Sequence, residues 1–137
     1  MDVLLIVQDP LLRDMIAIGL ENVPGTAVVA ASGPSAIDRA RNKKFDVVFV
    51  GHDPHEKGPN EENALDLVAR LREFEKESEA VIVTDARWMK VLTEKRDRLA
   101  PCAFLSTPIK PNEFFRLAVR LRSRRNPAAR ARSGSAR

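Results

Sequence analysis

Five short runs of Val, Ile, Leu, Ala and Phe set the strongest limit on how this chain folds: Val3–Val7, Ala27–Ala31, Val47–Val50, Val81–Val83 and Ala103–Leu105. Polar residues hardly interrupt them. A strand with one wet face alternates apolar and polar side chains, whereas a strand covered on both faces is apolar throughout. The runs also fall far short of the roughly 20 apolar residues that a membrane-spanning helix needs. They predict the strands of a parallel sheet with helices on both sides.

Helical signals lie between the runs. Asp9-Pro10 suits a helix start, because Asp accepts from free backbone N–H groups and Pro fits the first helical position. This helix is expected from about Pro10 to Asn22, ending at Pro24-Gly25. Pro34 opens a second, to about Lys44. Ala64, Leu67, Val68, Leu71 and Phe74 form an apolar stripe on a third, and Trp88, Val91, Leu92 and Leu99 mark a fourth. Phe114, Leu117, Ala118 and Leu121 give the clearest stripe, on the fifth. Strand and helix in alternation, five times over, predict an α/β fold with a doubly wound, five-stranded parallel sheet.

Charge divides the chain unevenly. Its 137 residues suffice for one domain, and their formal net charge is +4. Residues 1–113 carry 15 basic and 19 acidic side chains, whereas residues 114–137 carry 8 Arg and no acid. A basic whole therefore does not mean a basic body. From 126 to 137 only Asn, Pro, Ala, Arg, Ser and Gly occur. That composition buries too little to offset the cost of ordering, so the expectation is a domain over 1–125 and a disordered Arg-rich tail over 126–137. A single cysteine, Cys102, leaves no intramolecular disulfide and no multi-cysteine metal site. Without a basic, apolar leader, the expected setting is the cytoplasm, with no membrane contact.

Ligands of such sheets bind at the carboxyl ends of the strands. Here those ends fall on Gln8-Asp9-Pro10, Gly51–Asn60, Thr84-Asp85-Ala86 and Ser106-Thr107-Pro108. The six glycines form neither a dinucleotide-binding nor a P-loop pattern, which argues against a nucleotide or flavin enzyme.

From Val3 to about Arg122 the chain resembles the receiver domain of bacterial two-component response regulators. "VLLIVQDP" resembles the family's first strand and acidic pair, and "AASGPSAIDRARNKKFDVVFV" its second strand, second helix and third strand. "AVIVTDA" resembles the fourth strand with its switch hydroxyl, and "AFLSTPIKPNEF" the fifth strand with its Lys-Pro. The resemblance implies a flavodoxin-like (βα)5 fold and a self-catalysed phosphoryl transfer to an Asp at the end of strand 3. In the family, that Asp and the acidic pair hold Mg²⁺, a Lys after strand 5 supplies a fixed cation, and a Ser or Thr after strand 4 binds the phosphoryl group.

Position by position, this sequence departs from that pattern. The first acid of the pair falls on Gln8, leaving Asp9. The acceptor, five residues beyond Asp46, falls on Gly51, which has no nucleophile. The Lys falls on Thr107, ahead of Pro108. The switch hydroxyl falls on Asp85, or on Thr84 with a slip of one residue. A pocket that exchanges a lysine for a carboxylate is expected to repel phosphate. The reading is therefore a degenerate pseudo-receiver: no enzyme and no cofactor, but a bacterial signalling module that docks partners independently of phosphorylation.

Asp9 is a candidate metal ligand, although helix capping explains it alone. Asp53 is the alternative phosphoacceptor; Mg²⁺ enters only in that case. His52 and His55, with Asp53 and Glu56, invite comparison with a transition-metal site, but solvated loop histidines are the simpler reading. The resemblance places partner binding on the face of helix 4, strand 5 and helix 5, with Trp88, Lys90, Lys95, Phe104, Ile109 and Lys110 as candidates. For the Arg tail three readings stay open: a solvated linker, contact with an acidic partner, and nonspecific nucleic-acid binding. Homodimerisation also stays open.

Overall fold

The computed structural model describes residues 1–31, 33–52, 64–73, 77–94 and 102–125. Along them strands and helices alternate: β1 (Asp2–Ile6), α1 (Pro10–Glu21), β2 (Ala27–Ala30), α2 (Gly33–Asn42), β3 (Val47–Gly51), α3 (Ala64–Arg72), β4 (Glu79–Asp85), α4 (Ala86–Thr93), β5 (Cys102–Thr107) and α5 (Pro111–Arg125). The strands form one sheet in the order β2-β1-β3-β4-β5, every pairing parallel. The doubly wound α/β sheet expected from the sequence is the fold observed. The Arg-rich segment 126–137 lies outside the described residues, as do Asp53, His55, Glu56 and Lys95.

Alternation of side chains explains why the central runs are apolar throughout. Leu4, Ile6, Val48, Val50, Ala80 and Ile82 point to one face, where Ala36, Ile37, Leu67, Val68 and Leu71 of α2 and α3 cover them. Val3, Leu5, Val7, Phe49, Val81 and Val83 point to the other, against Ile16, Leu20, Leu117 and Leu121 of α1 and α5. Two cores thus flank one sheet. The run at 27–31 departs from this rule. β2 pairs only with β1, and its Ala27 and Ala30 are exposed. As an edge strand it is only partly covered, so its apolar composition does not signify full burial.

Register is fixed at the amino end of the sheet. The Asp46 carboxylate accepts the Asp2 N–H at 2.7 Å, and the Asp46 N–H donates to the Asp2 carbonyl at 2.8 Å. This clamp aligns Val3 with Val47 and places Gly51 last in β3, opposite Val83 of β4. β4 is longer than its apolar run, because Glu79, Thr84 and Asp85 continue its ladders. The turn leading into β2 requires Gly25, whose φ of 77° suits glycine.

Candidate functional site

The strand order reverses around β1, and in such sheets the crevice beyond the strand ends at this point receives ligands. A cavity of about 460 Å³ opens there. Gln8 and Asp9 line it from the β1–α1 junction, Gly51 and His52 from the end of β3 and just beyond it, Thr84 and Asp85 from β4, and Thr107 and Pro108 from the end of β5 and just beyond it. All five positions singled out from the sequence, Gln8, Asp9, Gly51, Asp85 and Thr107, are thus brought together. The peptide bond between Thr107 and Pro108 is cis.

Asp9 caps α1. Its Oδ1 accepts the N–H of Leu11 at 3.0 Å and that of Leu12 at 3.4 Å, while Pro10 occupies the first turn. The carboxylate meets N–H groups that the helix cannot satisfy internally.

At Gly51 the pocket floor is backbone. A Cβ built there would meet the Val7 Cα and Cγ1 at 3.4 Å, an ordinary contact distance. His52 follows and extends the ladder, donating its N–H to the Val83 carbonyl at 2.7 Å. Its imidazole Nδ1 is hydrogen-bonded to the Thr84 hydroxyl at 3.1 Å, and its ring tilts 59° against Trp88 of α4, with centroids 5.7 Å apart. Thr84 is only 2% exposed, so the imidazole supplies its hydroxyl with a partner in a dry place.

Asp85 closes β4 and caps α4. Its Oδ1 accepts the Arg87 N–H at 2.9 Å, and the Arg87 guanidinium donates to Oδ2 at 3.1 Å. The guanidinium hydrogen bond holds the Asp85 carboxyl below its ordinary pKa; partial desolvation works against this. Arg87 and the start of α4 thus answer the charge of the carboxylate at 85. Among the described residues lining the cavity there is no Lys or Arg, and the formally charged groups are Asp9 and Asp85.

The residues expected on the docking face differ in exposure. Trp88 and Phe104 are half-buried against the α2–α3 side of the core. Ile109 packs on the α1–α5 side and lines the cavity. Lys90 and Lys110 are exposed. Between α4, β5 and α5 runs a groove of about 600 Å³ whose walls include Met89, Thr93, Phe104, Glu113 and Arg116. Sequence reasoning missed Met89 and Arg116, and also the pairing of His52 with Thr84, which lie too far apart for any local pattern to show.

No protein-family model matches this sequence, and no curated protein matches it. Solved structures do. The receiver domain of NtrX from Brucella abortus superposes with a TM-score of 0.74 at 19% identity, covering 88% of this chain and 97% of that one. The chemotaxis protein CheY4 of Vibrio cholerae gives 0.72 at 19% identity, with the same coverage. The REC domain of AraT, a response regulator from Geobacillus stearothermophilus, gives 0.73 at 20% identity over 90% of this chain and 93% of that one. Against a longer NtrX chain, crystallised with ADP, the match spans only 26% of that chain. The fold is that of response regulator receiver domains.

Proposed function

We propose that this chain is a pseudo-receiver, a cytoplasmic protein–protein interaction module of bacterial signal transduction that works without phosphoryl transfer. The observation that carries the reading is the composition of the cavity. Where the family resemblance puts an aspartate nucleophile stands Gly51, and where it puts a lysine stands Thr107. Transfer of a phosphoryl group draws on positioned cations and donors to offset charge on its oxygens. Asp9 and Asp85 act in the opposite sense, and Arg87 is spent on Asp85.

The His52–Thr84 hydrogen bond supports the same reading. Thr84 is the hydroxyl at the end of β4, and an imidazole from its own chain already engages it. Signalling then rests on docking, with the groove of α4, β5 and α5 as the surface for a protein partner. The test is amide NMR during titration with Mg²⁺ and beryllofluoride. Shifts that stay unchanged agree with a pseudo-receiver. Saturable shifts around Asp9 and the segment after His52 would replace it with phosphorelay through Asp53.

A further inference from the structure

The strand-end cavity has two kinds of wall. Val7, Leu11, Leu12, Met15, Val83 and Ile109 give it hydrocarbon. Leu11 is 83% exposed and Met15 nearly half exposed, so part of that hydrocarbon is open to water. Polar groups converge on the same space. The Asp9 Oδ1 is engaged by α1, whereas its Oδ2, the Gln8 amide and the Thr107 hydroxyl make no hydrogen bond or ion pair with the described residues. A volume of about 460 Å³ falls within the range of roughly 300–1,000 Å³ for small-molecule sites, which are mostly apolar with a few placed polar groups.

Charge narrows what can enter. Asp85 is already answered by Arg87, but the Asp9 Oδ2 is not answered by any described residue. An anion would meet two carboxylates and no lining cation among the described residues, and like charges brought together oppose binding. A hard divalent ion wants about six oxygen ligands, whereas much of this wall is hydrocarbon. An organic cation suits both walls at once.

We infer that the cavity is a binding site for a small organic ammonium compound. Its apolar body lies against Leu11, Met15 and Ile109, and its cationic head meets the Asp9 carboxylate, with Gln8 and Thr107 as further hydrogen-bond partners. The inference rests on the pseudo-receiver reading and supplies its input, a bound small molecule in place of a phosphoryl group. His52 passes occupancy outward, because it lines the cavity and its ring also meets Trp88 of α4, with centroids 5.7 Å apart. α4 in turn walls the groove proposed for docking.

Titration of the full chain with phenethylammonium, followed by amide NMR and by Trp88 fluorescence, tests this. Phenethyl alcohol carries the same body with a neutral head, phenylacetate a similar body with an anionic head, and methylammonium the head alone. Phenethylammonium should give saturable shifts at Asp9, Gly51, His52 and Val83 and a saturable change in Trp88 emission. Phenethyl alcohol should bind roughly fivefold more weakly, the upper end for an exposed ion pair; phenylacetate and methylammonium should not saturate. Asp9→Asn keeps an acceptor for the helix cap, and should lower phenethylammonium affinity by that same factor while leaving phenethyl alcohol unchanged. Met15→Gln should weaken both alike, and far-UV circular dichroism checks that each variant folds. Equal binding of phenethylammonium and phenylacetate, or an affinity indifferent to Asp9→Asn, would overturn the inference. Shifts that stay flat with phenethylammonium and also with Mg²⁺ and beryllofluoride would overturn it while leaving the pseudo-receiver reading in place. Saturable beryllofluoride shifts would overturn both.

Discussion

Gly19→Ala probes the contact that sets the spacing of α1 and α5. A Cβ at position 19 would come within 2.5 Å of the Phe114 Cε1 and 3.1 Å of its Cζ. Carbon atoms rest at about 3.5–4.0 Å, so the ring or the helix must retreat by about 1 Å. The ring is not at liberty to do so cheaply, for its centroid lies 6.4 Å from that of Phe49, which is fully buried in β3. Overpacking of this kind costs about 1–3 kcal/mol. Alanine offsets about 1 kcal/mol through its higher helix propensity. The expected net result is destabilisation by about 1 kcal/mol, or a fall in Tm of about 4 °C for a domain of this size. Urea unfolding followed by circular dichroism and by the fluorescence of Trp88, the one tryptophan, measures it. In a Phe114→Leu background, which removes the ring edge, the same Gly19→Ala change should become stabilising. If Gly19→Ala stabilises the protein by about 1 kcal/mol even with Phe114 present, the close approach of the two helices is refuted.

Asp9→Ala should cost about 1 kcal/mol of stability, and Asp9→Ser or Asp9→Asn should recover most of it, because capping needs only an acceptor oxygen; denaturation midpoints of the three variants decide this. Arg87→Ala should raise the Asp85 carboxyl pKa toward its ordinary value of 3.8, read from the carboxyl ¹³C shift. The sign follows from linkage: a depressed pKa in the folded state stabilises the fold above the unfolded value, and that contribution disappears as pH falls through the folded one. The stability difference between wild type and Arg87→Ala should therefore shrink on acidification below about pH 4.

The central strands were legible because burial on both faces leaves a mark that survives without any tertiary information: no polar residue at either parity. The cap at Asp9 was legible for the same reason, since Asp9-Pro10 acts on its own helix. Gly51 could be placed by counting from Asp46, and the clamp between Asp46 and Asp2 is what makes the count hold. Composition misled at β2, where small apolar side chains sit at a sheet edge. It was silent about α1. Leu11, Leu12, Met15, Ile16, Ile18 and Leu20 exceed what one buried stripe needs, but only the packing of Gly19 on Phe114 decides which of them are left outside. The side-chain bond from His52 to Thr84 joins residues 32 positions apart and depends on the β3–β4 register.

Gly51 carries a consequence for how such a chain diverges. Its φ is not left-handed, Gly25 being the one glycine with that property among the described residues, and a Cβ at 51 would touch Val7 at an unstrained distance. Packing therefore does not demand glycine, and a glycine codon ending in a pyrimidine is one base change from aspartate. The scaffold leaves that route physically open in both directions. What would hold the chain away from phosphoryl chemistry is the company Gly51 keeps, since Gln8 and Thr107 would have to change as well before a new carboxylate found a full acidic pair and a cation beside it.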